Sequence, residues 1–296
     1  MPITRWLEDP FGIVWAGTWA LFADAPLASA IWTGLPPGKV VTTSELNLSF
    51  VRPITRETGN IIGRATSIHQ GRQVGLSAVE ISDRHGRTMG YGTTRCLIVD
   101  IPVDADADYP EPDTGPTDPP DPYLREAPTD SYFDLASVLE GEPIEIQRRI
   151  IAGEVTPNIM RLTGARWDDP QRGRTTVRIP TSAWFSAGGP ALYGGALAWF
   201  LEAAMGGAVY SSLGPGQVFG TLDMNVRFTR PAYINSGDLT VTAEVQHMGR
   251  QVRIASAEMT DAAGKRVAMA TSSALVVEGG IRALMQGWIA DEVLQA

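Results

Sequence analysis

This chain contains one structural unit twice, and that repeat constrains its fold more than any other feature. Thr43-Ser-Glu-Leu-Asn47-Leu-Ser-Phe50-Val-Arg52-Pro53 overlays Thr221-Leu-Asp-Met-Asn225-Val-Arg-Phe228-Thr-Arg230-Pro231, an offset of 178 residues. The same register carries His69-Gln-Gly71-Arg72-Gln73-Val74 onto His247-Met-Gly249-Arg250-Gln251-Val252 without a gap, then Glu80, Asp83 and Gly86 onto Glu258, Asp261 and Gly264. Upstream it pairs Trp6, Gly17, Phe22 and Asp24 with Trp184, Gly195, Phe200 and Glu202. Chance does not keep one register that long.

Each unit reads as an apolar helix followed by strands. In the second unit the helix is expected over 192–211, and alternation of period two predicts strands near 222–229, 238–247, 251–261 and 266–277. Asp83-Arg-His-Gly86 and Asp261-Ala-Ala-Gly264 supply hairpin turns in which Gly takes a positive φ. A further strand over 175–180 precedes the second helix. The first unit has hardly any chain for that strand, so its missing edge lies upstream of Met1 or is supplied by 144–151. Residues 100 to about 128 are dense in Pro and Asp and too poor in large apolar groups to pack alone. The expected organisation is a first unit over 1–99, a linker over 100–143 and a second unit over 144–296. Similar units in one chain should pair about a pseudo-twofold, as an internal isologous dimer.

With 296 residues, net charge -9 and 44% hydrophobic content, the chain is neither fibrous nor largely disordered. Its single cysteine, Cys96, excludes an internal disulfide and a thiolate metal cluster, and suits a reducing cytoplasm. The N-terminal residues bring acids where a secretory signal needs an apolar region, and no run reaches about 18 apolar residues. A cytoplasmic protein without a membrane partner is expected. The acidic balance repels nucleic acid.

The chemistry concentrates on the two helices. Between Ala191 and Met205 the only ionisable carboxylate is Glu202, two turns past Gly194-Gly195, and the first helix repeats the device with Asp24 after Ala16-Gly17. Desolvation raises such a carboxylate's pKa and makes its ionised form a stronger base, which suits activation of water. One isolated helix acid would ordinarily reach solvent or an Arg; recurrence in both copies argues for function. Helix N-terminal N–H groups can stabilise a developing oxyanion, although tight packing explains a Gly pair equally well. Seven residues at about 1.5 Å separate Gly195 from Glu202 by roughly 10 Å, too far to share one carbonyl. Antiparallel helices would instead bring Glu202 to Ala16-Gly17 and Asp24 to Gly194-Gly195, making each site composite.

A Gly pair, seven residues to an acid on an apolar helix, then T-x-D-x-x-x-x-F-x-R-P opening a sheet resembles the hotdog acyl-CoA thioesterases. The double-hotdog class typified by bacterial acyl-CoA thioesterase II is the nearest in kind. The segment Pro10-Phe-Gly12-Ile-Val14-Trp15-Ala16-Gly17 also resembles the phenylacetate-pathway thioesterases, whose motif reads G-x-x-H-G-G; here the His position holds Trp15 in one unit and Tyr193 in the other. The resemblance implies an α+β tandem hotdog, with two antiparallel sheets each wrapping a long apolar helix. It also implies a catalytic acid at Glu202 and a catalytic Thr at Thr221. The family's Gln falls on Ser272, so the Gln is absent. The first unit's counterparts are Asp24, Thr43 and Thr94. Strand parity puts Thr221 on the face opposite Leu222, Met224 and Val226, so it reaches Glu202 only from a strand mouth or a bulge.

The implied reaction is hydrolysis of acyl-CoA, in which Glu202, or Asp24 in the other half, activates water oriented by Thr221 and Ser272 or attacks the thioester carbonyl directly, with Ala16, Gly17, Gly194 and Gly195 as oxyanion donors and no metal or redox cofactor. Arg72 and Arg250, with Arg52 and Arg230, are candidate anchors for coenzyme A phosphates, although turn arginines are commonly just solvated. Trp15, Trp19, Trp199 and Tyr193 line an acyl pocket or fill the core. His69 and His247 read as structural, and Cys96 as small core filler. A hydratase on the same fold and a non-catalytic acyl-CoA-binding protein are the alternatives, although the hydratase signature Y-x-x-x-F-x-x-x-T-G-D-x-N-P-x-H is missing. By analogy, pseudo-dimeric chains assemble into a homo-oligomer.

Overall fold

The computed structural model describes residues 1–55, 58–101, 125–134, 140–186 and 189–277. Most of the expected linker lies outside these residues. The first unit consists of helix α1 (Thr18–Trp32) and strands β1 (Lys39–Phe50), β2 (Ile61–Gln70), β3 (Val74–Asp83) and β4 (Thr88–Asp100). Two helices follow, α2 (Pro143–Ile151) and α3 (Asn158–Thr163). The second unit comprises β5 (Arg166–Trp167), β6 (Arg174–Ile179), helix α4 (Gly194–Ser211), β7 (Val218–Phe228), β8 (Leu239–Met248), β9 (Val252–Thr260) and β10 (Arg266–Val277).

All ten strands form one antiparallel sheet in the order β2-β3-β4-β1-β7-β10-β9-β8-β6-β5. The two hotdog sheets are thus joined edge to edge. The seam is the β1–β7 pair, where Asn47 faces Asn225, its own repeat counterpart, so the pseudo-twofold passes between these residues. The sheet curls around α1 and α4, which pack on each other. α4 is therefore buried from Gly195 to Met205 without interruption, and its sequence is apolar on every side rather than on one stripe.

Two irregularities set the direction of the site side chains. Ser44 drops out of the β1–β4 register and Leu222 out of the β7–β10 register, at equivalent places in the repeat. Each bulge reverses the strand's alternation, turning Thr43 and Thr221 towards the helices on the face of Leu46 and Met224.

The stretch 144–151 does not supply a missing strand, as one sequence expectation had it. Pro143 occupies the first turn and Arg148 and Arg149 the last, a helix start and stop. Beside β2, Ile61 N–H donates to the Met1 carbonyl and Ile3 N–H to the Gly59 carbonyl. Met1 thereby takes the place beside Ile61 that Ile179 takes beside Leu239.

Helix contact depends on two glycines. A Cβ on Gly17 would lie 2.8 Å from the Trp199 carbonyl oxygen, and one on Gly195 2.8 Å from that of Ala20. Backbone atoms cannot swing aside as a side chain can. Gly17→Ala should therefore cost about 1–3 kcal/mol, read from the denaturant midpoint. Gly206→Ala, whose Cβ would meet nothing nearer than 3.5 Å, should cost nothing. Equal midpoints for Gly17→Ala and the parent would contradict the close crossing.

Candidate functional site

The antiparallel packing of α1 and α4 exchanges the acids between units. Glu202 Oε2 accepts the Gly17 N–H at 3.0 Å, and Oε1 accepts the Thr221 hydroxyl at 2.8 Å. In the mirror arrangement Asp24 Oδ2 accepts the Gly195 N–H and Oδ1 the Thr43 hydroxyl, both at 2.8 Å. Each carboxylate sits at the positive end of the other unit's helix. Both are buried, Glu202 at 5% exposure and Asp24 at 1%. Burial pushes Asp24 up to about 6 against the opposing pull of Thr43 and Gly195. Burial likewise raises Glu202, with Thr221 and Gly17 pulling it back.

The surroundings are not symmetric. Glu202 and Thr221 line a cavity of ≈ 410 Å³ whose walls include Trp15, Trp19, Phe50, Phe219 and Tyr210. Gln147 and Ile150 of α2 and Met160 of α3 also line it, and Ile150 packs against a small satellite core of Phe133, Ile146 and Val155. Both helices stand between the repeats. Trp15 meets Trp167 edge-on at 5.5 Å. Tyr193, its repeat counterpart, instead turns its ring under α4, so that a Cβ on Gly195 would lie 2.7 Å from Tyr193 Cε1. Gly194 presses so closely on the other acid that a Cβ there would lie 2.9 Å from Asp24 Oδ2. Asp24, Thr43 and Tyr193 take no part in lining the cavity.

The backbone amides divide into two kinds. Those of Gly17 and Gly195 are engaged by the carboxylates. The preceding amides, Ala16 and Gly194, find no acceptor among the described residues, while Trp15 N–H and Tyr193 N–H donate to Leu7 and Phe185 carbonyls in matching fashion. Ala16 lines the cavity.

Other candidates fall elsewhere. Ser272 is buried on β10 opposite Met224 and makes no hydrogen bond to Glu202 among the described residues. The Thr94 hydroxyl donates to the Glu45 carbonyl at 2.6 Å rather than to Asp24. Arg72 and Arg250 are exposed in their turns, as are His69 and His247 on their strands, and none of the four lines the cavity. Arg52 does line it. Trp199 stacks on Phe200 in the core. Cys96, read as filler, stands close enough to Asp24 for that charge, after burial itself, to push its thiol up to about 11. Among the described residues no group of three His, Cys, Asp or Glu side chains is arranged to take a metal ion, and no helix is long and apolar enough to cross a membrane.

The model of the thioesterase superfamily matches the chain twice, over residues 11–89 and 189–268, with starts one repeat length apart. A curated relative, the proofreading thioesterase EntH of Klebsiella pneumoniae, is 30% identical over 87 residues, which are 29% of this chain. The chain spans 62% of the length of that relative. Among solved structures, a tesB protein of Mycobacterium avium subsp. paratuberculosis aligns at TM-score 0.59 and 13% identity, covering 92% of this chain and 90% of that one. The acyl-CoA thioesterase II TesB2 of Mycobacterium marinum aligns at TM-score 0.56 and 12% identity, over 90% of this chain and 91% of its own. At those identities the likeness speaks for the tandem hotdog fold alone. The two family matches cover the helix and much of the sheet of each unit, and the chain belongs to the thioesterase superfamily, with the family's domain present twice.

Proposed function

We propose that this protein hydrolyses acyl-CoA thioesters at the Glu202 half-site. The observation that carries the reading is a desolvated carboxylate, fixed by Gly17 N–H and the Thr221 hydroxyl, at the wall of an apolar cavity. Family membership and the acyl-CoA thioesterase named among the solved structures supply the substrate class.

In this mechanism the thioester carbonyl oxygen lies against Ala16 N–H, and Glu202 takes a proton from water as the new C–O bond forms. The Thr221 hydrogen bond fixes the carboxylate's orientation. Collapse of the tetrahedral intermediate breaks the C–S bond and releases coenzyme A thiolate, which recovers the proton from Glu202. A thiol with a pKa of about 8.5 leaves without a strong general acid. Asp24, sealed beneath Tyr193 and Gly194, acts as a structural clamp on the N-terminus of α4.

Release of thiol from a panel of acyl-CoAs tests the reading. Glu202→Gln should lower kcat/KM by about 10²-fold or more, whereas Asp24→Asn should leave it within about threefold. Undiminished hydrolysis by Glu202→Gln would overturn the assignment of the base.

Because Glu202 must be ionised and its pKa lies above 4.5, kcat/KM should fall as pH drops through that value. Thr221→Val removes a hydrogen bond to the ionised form, so the acidic limb should move to higher pH. A limb that stays in place would contradict Thr221's role.

Asp24 gives a stability test of opposite dependence. Its folded pKa of about 6 exceeds the ordinary 3.8, so its favourable contribution is complete below about pH 4 and lost as pH rises through 6. Asp24→Asn mimics the neutral form and keeps acceptors and donors for Gly195 and Thr43. It should equal the parent at pH 4 and exceed its unfolding free energy at pH 8 by on the order of 2 kcal/mol. Destabilisation at pH 8 would show that the ionised form is the one the fold favours.

A further inference from the structure

The cavity has a second polar end, which hydrolysis does not use. Asp9-Pro-Phe-Gly12 is a third D-x-x-G turn: Asp9 Oδ1 accepts the Phe11 and Ile13 N–H groups at 2.8 and 2.9 Å, and Gly12 takes φ 73. The turn at Asp83 is built alike, with His85 and Arg87 as donors, and its second oxygen is taken by the Arg87 side chain. Asp9 has no such arginine. It lines the cavity, and its Oδ2 finds no protein donor among the described residues. Tyr210 stands beside it, its ring 5.6 Å from that of Phe11, and its hydroxyl has no hydrogen-bond partner among the described residues. The charge of Asp9, after burial itself, raises the Tyr210 phenol, in keeping with their proximity.

Position along α4 says what would reach this pair. Tyr210 lies eight residues beyond Glu202, about 12 Å along the helix. The antiparallel crossing, with Gly17 at Trp199 and Gly195 at Ala20, places Trp19 on the other side of Glu202, stacked on Phe50 at 5.8 Å. Arg52 lines the cavity two residues beyond Phe50. The phosphates of coenzyme A are drawn to the Arg52 side and repelled by Asp9, so the acyl tail runs towards Asp9 and Tyr210. A methyl terminus there would desolvate two acceptors without replacing their hydrogen bonds.

We propose that Asp9 and Tyr210 form a subsite for a hydroxyl group at the far end of the acyl chain, so that the preferred substrates are hydroxyacyl thioesters. This rests on the hydrolase reading above. The experiment measures kcat/KM at pH 8 for octanoyl- and decanoyl-CoA against 8-hydroxyoctanoyl- and 10-hydroxydecanoyl-CoA, in the parent protein, Tyr210→Phe and Asp9→Asn. One hydroxylated member should be favoured by about tenfold in the parent, and by no more than about twofold in either variant. No preference in the parent, or a preference that survives both variants, overturns the subsite. So does a KM raised equally for both members of a pair, which would place the contact on the pantetheine. Calorimetric titration of the same four thioesters into Glu202→Gln reads the subsite without turnover: equal affinities overturn it even if the protein hydrolyses nothing. Normal, Glu202-dependent hydrolysis without hydroxyl preference would sink the subsite and leave the hydrolase reading standing.

Discussion

Everything at the centre of this molecule depends on two carboxylates exchanged between two helices. An acid on each helix accepts an N-terminal amide of the other, so neither helix can be moved without breaking a buried charge-assisted hydrogen bond. Such an exchange needs antiparallel helices in near-backbone contact, which explains glycine at 17 and 195. It also needs a strand hydroxyl for the second carboxylate oxygen. The bulges at Ser44 and Leu222 deliver that hydroxyl by turning Thr43 and Thr221 inward. Burial argues against ionisation, while two hydrogen bonds and a helix dipole argue for it. The balance leaves each acid easier to protonate than usual without forbidding its charge.

The clamp is duplicated, but what surrounds it is not. Two helices that stand between the repeats, α2 and α3, contribute to the walls on the Glu202 side. Trp15 packs edge-on against Trp167, and both rings line the cavity with Glu202. Tyr193 has no corresponding partner among the described residues and packs beneath α4, beside Asp24. On the function proposed above, one duplicated device supports two roles, chemistry in one half and helix anchoring in the other.

Much of this was legible in the sequence because the repeat is itself a measurement. The 178-residue register picks out both acids, both glycines and both threonines, and the impossible reach from Gly195 to Glu202 along one helix implies the crossed arrangement. Alternation left the direction of Thr221 to a strand mouth or a bulge, and could not choose, since a bulge is a property of two paired strands and Leu222 carries no local mark of it. The cavity was illegible for a different reason: its roof comes from segments with no second copy to compare. Pro143 and the arginines at 148 and 149 carry the helix signal of α2, against the strand-forming isoleucines that made 144–151 one of two candidates for the missing edge. Asp9-Pro-Phe-Gly12 matched the two hairpin turns in pattern, but without a repeat partner it did not stand out.

The exchange of acids is tested most directly by following the Gly17 and Gly195 amide resonances through a pH titration by ¹H–¹⁵N NMR. The Gly195 amide should titrate with a midpoint near 6 and lose that response in Asp24→Asn, and the Gly17 amide should respond to Glu202 alone. Amides that report the acid of their own helix, or neither acid, would contradict the crossed clamp.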